Sequence, residues 1–128
     1  MKFINKIYKD EPITIYGDGF QERDFTYISD ICNGTFESSK LNGFNIINLG
    51  GSRPEKLINA VKIIEKKLQK KANIIYKPQN NMDVNRTSAD IENSKKLINW
   101  NPKETLNSGL SKTIDWYIEN AESLSMLS

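Results

Sequence analysis

The sequence predicts a mixed α/β chain in which short strands carry three to four helices, and three observations lead there. β-Branched and aromatic runs at Pro12-Ile13-Thr14-Ile15-Tyr16, Phe44-Asn45-Ile46-Ile47-Asn48-Leu49 and Ala72-Asn73-Ile74-Ile75-Tyr76 read as strands. Apolar residues recur at helical spacing between and after them, most regularly at Leu57, Ile58, Val61, Ile64 and Leu68 and again at Leu106, Leu110, Ile114 and Tyr117. Glycines punctuate the strand ends at Gly17, Gly19, Gly43, Gly50 and Gly51. No internal repeat, low-complexity tract or long linker divides the 128 residues, so residues 1–128 read as one domain.

The elements follow in order. Phe3, Ile4, Ile7 and Tyr8 share one side of a short helix, Lys2, Lys6 and Lys9 face outward, and Pro12 ends it. The strand from Pro12 to Tyr16 closes on the turn Gly17-Asp18-Gly19, which leads to Arg23 on a strand; Asp24-Phe25-Thr26-Tyr27-Ile28 is a further short extended piece. Ser29 or Asp30 caps a helix with Ile31 and Phe36 inward, and Phe44–Leu49 is a strand. Ser52-Arg53-Pro54-Glu55 has the form of a capping box with proline in the first turn, a start signal for the Leu57–Leu68 helix. Lys62, Lys66, Lys67, Lys70 and Lys71 read as its solvated face, the later ones suiting the negative end of the helix dipole. The strand at 72–76 leads to a polar loop from Lys77 to Val84. Asp90 caps a helix carrying Ile91, Ser94, Leu97 and Ile98, with Asn99 where a left-handed residue is wanted. Thr105 caps the last helix, and residues beyond about Asn120 have few apolar partners and are expected to fray.

Four phrases carry a resemblance, and their order and spacing count for more than any one of them. The first runs from Tyr16 through the glycine turn and Arg23-Asp24-Phe25 to Ile31. The others are Asn45–Ser52, then Asp83-Val84-Asn85-Arg86-Thr87-Ser88-Ala89-Asp90 with Trp100-Asn101-Pro102-Lys103, and finally Leu106–Tyr117. Together they resemble the C-terminal, substrate-binding part of the extended short-chain dehydrogenase/reductases, the NAD-dependent nucleotide-sugar epimerases and dehydratases. The texture is nearest the UDP-glucuronate and UDP-glucose 4-epimerases. The resemblance implies a small nucleotide-sugar-binding domain that lacks the Rossmann part. A whole enzyme of this kind would oxidise the sugar at C4, let the keto intermediate rotate and return the hydride to the other face.

Two requirements of that chemistry are missing from the sequence. Gly17-Asp18-Gly19 leads to a strand and not to a helix N-terminus, so it is not a dinucleotide cradle. No tyrosine is followed four residues later by lysine; Tyr16 has Phe20 there. The expectation is therefore a chain that binds no cofactor by itself and is inactive alone, with NAD belonging to a full-length enzyme and roughly another domain of chain ahead of Met1.

The substrate-binding candidates are Tyr16, Gln21, Arg23, Asn48, Asn80, Asp83 and Arg86. A guanidinium presents a rigid fork that fits two diphosphate oxygens. By resemblance Arg23 is the diphosphate arginine, against the alternative of a surface pair with Glu22 or Asp24. Tyr16 matches a position that packs on the nucleobase, or is a half-buried strand tyrosine. Asp83 matches the carboxylate that accepts from the ribose hydroxyls, or makes a local loop turn. Met82 replaces the glycine usual before it, and Asn80 stands where relatives carry arginine or glutamine, which favours relatives without a second arginine. Arg86 is a possible replacement from the same loop. Gln21 holds the turn or reaches the sugar, Asn48 supports the site with its amide, and Asp30 is a cap. Trp100 and Trp116 fit core and rim packing.

Composition sets outer bounds. Charged residues make up 27% and apolar residues 38%, and 18 basic against 16 acidic residues leave a net charge of +2, too even to point to nucleic acid or an anionic membrane. No apolar run reaches membrane-spanning length and no signal-peptide core follows Met1. With Cys32 as the sole cysteine and no histidine, neither an internal disulfide nor a zinc site is expected, and a reducing cytoplasm is the natural setting. Two other functions stay open: an interaction module that pairs with a separate Rossmann partner, and a degenerate remnant without ligand binding. Apolar surface left exposed by a missing cleft wall predicts a homo-oligomer.

Overall fold

A computed structural model of the chain describes residues 1–79 and 83–125; Asn80, with Met82, lies outside the described residues. The elements are α1 (Lys2–Tyr8), β1 (Ile13–Tyr16), β2 (Glu22–Arg23), α2 (Ile28–Ser38), β3 (Glu55–Lys56), α3 (Leu57–Leu68), β4 (Ile74–Lys77), α4 (Glu92–Ile98), α5 (Leu106–Glu119) and α6 (Ala121–Ser125). The architecture is mixed α/β, with six helices described where three to four were expected. β1 pairs in parallel with β4, Ile13 opposite Ile74 through Tyr16 opposite Lys77. β2 pairs antiparallel with β3, Arg23 opposite Glu55.

The core lies between the first sheet and three helices. Ile4 and Ile7 come from α1, Ile13 and Ile15 from one face of β1, Val61 and Ile64 from α3, and Ile114 and Tyr117 from α5. Strand alternation and the three-to-four-residue helical repeat bring these stripes together. Burying each such aliphatic chain contributes about 1.5–3 kcal/mol. Tyr8 meets Tyr117 edge-on with ring centroids 5.4 Å apart. Lys70 leaves the solvated face assigned to it and closes the end of α1, donating at 2.6 Å to both the Tyr8 carbonyl and the Asp10 carboxylate. There the chain turns through a left-handed Asp10 (φ 58°), so α1 stops at Tyr8, before Pro12 is reached.

Several sequence expectations give way to tertiary partners. Phe44–Leu49 forms no strand: among the described residues no strand lies beside it, and its Ile46 and Asn48 carbonyls accept from the side chains of Asn93 and Ser94 instead. The Ser52–Glu55 box caps no helix. Ser52 turns left-handed (φ 52°), Glu55 and Lys56 form β3, and α3 begins at Leu57 with its first N–H groups donating to the carbonyls of Gln21 and Gly19, both at 3.0 Å. Backbone acceptors from the glycine turn do the work of the missing cap.

Neither Ser29 nor Asp30 caps α2, whose N-cap is Tyr27 with extended backbone. Asp30 is buried and braces another segment: its carboxylate accepts from the Lys103 and Glu104 N–H groups at 3.1 and 2.9 Å, and its carbonyl from the Trp100 indole at 3.0 Å. Asp30 and Gly34, four apart, mark the inward face of α2. Phe36, two residues on and therefore about 200° around, points to solvent rather than inward. Asn99 is left-handed as expected (φ 50°), and Thr105 with Ser108 forms a complete capping box on α5. From Ala121 to Ser125 the chain is helical rather than frayed, because Ala121 and Leu124 pack against the core. No helix among the described residues is long and apolar enough to cross a membrane.

Candidate functional site

Where β1 ends and β2 begins, the chain must reverse within a few residues. Gly17 (φ 78°) and Gly19 (φ 81°) take the left-handed conformations this requires. The Gly17 N–H donates to the Lys77 carbonyl at 2.8 Å, the Asp18 carboxylate accepts from the Phe20 N–H at 2.8 Å, and Gln21 donates its side-chain amide to the Tyr16 carbonyl at 2.8 Å. The turn thus leaves Tyr16, Gln21 and Arg23 around a single cleft of about 510 Å³, with Asp83 completing the set.

Asp83 reaches this cleft because the segment after it is strapped along β2. The Glu22 N–H donates to the Asn85 carbonyl at 2.8 Å, the Thr87 N–H donates back to the Glu22 carbonyl at 3.2 Å, and the Asp24 N–H donates to the Thr87 hydroxyl at 3.1 Å. Across 60 residues of sequence the Arg23 Nη2 then stands 2.6 Å from Asp83 Oδ1, while Nη1 donates to the Glu22 carbonyl at 2.8 Å. The two side chains are 26% and 37% exposed, open enough for a ligand and shielded enough for charge to count.

Asp24 organises the ground beneath. Its carboxylate accepts from the N–H groups of Ser52 (3.0 Å), Arg53 (3.4 Å) and Ala89 (2.8 Å), tying two separate segments to the residue next to Arg23. A Cβ on Gly51 would lie 2.6 Å from that carboxylate, so the close approach needs glycine.

The structure brings Tyr16, Gln21, Arg23 and Asp83 together and leaves two other candidates elsewhere. Asn48 donates to the Asp90 carbonyl at 3.0 Å, and Arg86, 64% exposed, pairs with Glu22 at 3.2 Å; neither lines the cleft. Sequence reasoning missed Lys2 and Lys6, which it assigned to an outward face. One turn apart on α1, they line the cleft, and Lys6 also donates to the Pro12 carbonyl at 3.0 Å. The signal was their i, i+4 spacing on the helix that leads into β1. Among the described residues, three cations against one carboxylate give this wall a net positive charge suited to an anion of more than one charge.

The glycine turn does not fit the pyrophosphate of NAD. It joins two strands, and the N–H groups that open α3 beside it are already bonded to the carbonyls of Gln21 and Gly19.

The chain has well-defined kin. The family model for the NAD dependent epimerase/dehydratase family matches residues 1–50. A UDP-glucuronate 4-epimerase of Thermodesulfobacterium geofontis is 46% identical over 122 residues, which cover 94% of this chain and 38% of that protein. The crystal structure of UDP-glucuronic acid 4-epimerase from Bacillus cereus, in complex with UDP-glucuronic acid and NAD, superposes with a TM-score of 0.83 at 31% identity, covering 91% of this chain and 38% of the other. An epimerase from Methanothermobacter thermautotrophicus gives a TM-score of 0.91 at 26% identity over 98% of this chain and 38% of its own. The chain therefore spans little more than a third of the relatives it matches. By sequence and fold together, the chain belongs to the NAD dependent epimerase/dehydratase family.

Proposed function

We propose that the cleft grips the nucleoside diphosphate half of a UDP-sugar, as part of an NAD-dependent nucleotide-sugar 4-epimerase. The observation that carries this reading is the Arg23–Asp83 pair, 2.6 Å across, set beside Tyr16 in a cleft with a net positive wall. Each group has a task that suits its chemistry. The Arg23 fork matches two diphosphate oxygens. Asp83 accepts from the ribose hydroxyls, because a carboxylate has acceptors alone to offer. Tyr16, half exposed at the cleft wall, packs on the base, and Gln21 holds the turn that aims all three. The relative from Bacillus cereus binds UDP-glucuronic acid, which makes UDP-hexoses and UDP-hexuronates the ligands to try first.

On this reading the chain supplies substrate grip without hydride chemistry and is inactive alone. Catalysis requires a Rossmann-bearing portion, in the same polypeptide or as a separate partner. Exposed Phe44 (89%) and Ile46 (68%) favour such a partner, since their extended segment lacks a neighbouring strand among the described residues. The test is calorimetric titration of the purified chain with UDP, beside Arg23→Ala. Saturable binding that Arg23→Ala weakens roughly 10-fold or more, the loss of a charge-assisted fork, supports the reading. Equal binding by both proteins, or none at millimolar UDP, defeats it.

A further inference from the structure

The Arg23 fork already has an occupant. A guanidinium carries five N–H donors; of these, one on Nη1 is directed to the Glu22 carbonyl and one on Nη2 to Asp83 Oδ1. A diphosphate seeking two parallel bonds to this fork must push the Asp83 carboxylate aside or share the guanidinium with it. We propose that Asp83 is a specificity-determining residue that holds the Arg23 fork against bare di- and polyanions and yields it to ligands bringing a vicinal diol beside their phosphates. This rests on the reading of the cleft as a nucleoside diphosphate site.

The physical argument is an exchange of partners. When an anion takes Arg23, Asp83 loses its donor and is left beside another negative group, which is unfavourable at this separation. A ribose diol replaces the lost guanidinium with two O–H donors, so the displaced carboxylate is satisfied again. Inorganic pyrophosphate is mainly an acceptor and offers no such replacement. Lys2 and Lys6 attract either ligand, so the positive wall alone cannot tell them apart. Discrimination falls to Asp83, the one carboxylate of the cleft lining among the described residues, and the geometry that gives it this leverage is its contact with Nη2.

The two functions of Asp83 predict opposite responses to one substitution. Asp83→Asn keeps the shape and removes the negative charge, so pyrophosphate should bind roughly three- to tenfold tighter while UDP binds more weakly. Glu22→Gln is the control for charge alone: it removes a neighbouring carboxylate that pairs with Arg86, not with the Arg23 fork, and should tighten pyrophosphate less. Calorimetric titrations of the full chain and both variants with inorganic pyrophosphate and with UDP give the answer. Opposite shifts of the two ligands on Asp83→Asn, larger than those on Glu22→Gln, support the inference. If the unsubstituted chain takes UDP but Asp83→Asn moves both ligands the same way, or tightens pyrophosphate no more than Glu22→Gln does, the nucleotide reading stands and the inference is overturned. If the unsubstituted chain takes no UDP, the nucleotide reading falls and the inference falls with it.

Discussion

At the scale of single residues, two aspartates show how much of this chain is held by carboxylates that accept backbone N–H groups. Asp24 gathers Ser52, Arg53 and Ala89, and Asp30 gathers Lys103 and Glu104. In the sequence Asp30 reads as a cap and Asp24 as part of an extended piece, because nothing local distinguishes a carboxylate that serves its own surroundings from one that serves segments 28 to 74 residues away. Asp24→Ala leaves those donors unmet and should cost about 1–3 kcal/mol in urea denaturation. It should also loosen the platform of Arg23 and lower UDP affinity. An unchanged midpoint would show that water replaces the carboxylate without penalty. Arg23 and Asp83, by contrast, stood out as candidates from their motifs, and the structure sets both on one cleft. Lys2 and Lys6 were not, since which face of α1 meets a cleft depends on where β1 and the glycine turn lie.

Among elements, the helices that carry their own start signals were the most legible, and α5 is the clearest case. Thr105 and Ser108 bond reciprocally across its first turn. Glu104, just before it, pairs with Lys112 on the helix. The hydrogen bond from Lys112 holds the Glu104 carboxyl below its usual value of 4.5, and the same bond holds the Lys112 ammonium above its usual 10.5. A lowered acid adds stability that is present above its unfolded value and lost as pH falls through the lowered one; a raised base adds stability lost as pH climbs past the raised one. Support from this pair is thus complete between those limits and fades at both ends. Replacing Lys112 by Met should flatten both edges of the profile of melting temperature against pH, with a small effect at neutral pH because the pair faces solvent. Unaltered edges would assign them to other groups. α3 is the opposite case: its apparent capping box is unused, because carbonyls of the glycine turn cap it from outside. At α2, a Cβ on Gly34 would lie 2.6 Å from a Leu49 methyl and 2.8 Å from the Trp100 indole, a close approach that helical periodicity does not reveal.

For the molecule as a whole, the exposed apolar residues on and near the 44–49 segment set the expected behaviour in solution. Without a partner to cover Phe44 and Ile46, copies of the chain are expected to meet through them as a dimer or weak oligomer. Sedimentation velocity over a wide concentration range checks this. A concentration-dependent coefficient that Phe44→Ser with Ile46→Ser abolishes agrees with it, and a sharp monomer boundary throughout contradicts it. By itself the sequence determined the α/β class, the stripes of α3 and α5, the glycine turn and the motif residues Tyr16, Gln21, Arg23 and Asp83, because periodicity, turn chemistry and motif spacing act over a few residues. Only the tertiary structure decided that 44–49 is not a strand, that Asp24 and Asp30 brace distant segments, and that Arg23 meets Asp83 on a wall shared with Lys2 and Lys6. The reason is physical: a strand exists only beside another strand, a carboxylate serves whichever donors folding brings near, and both depend on contacts that sequence separation conceals.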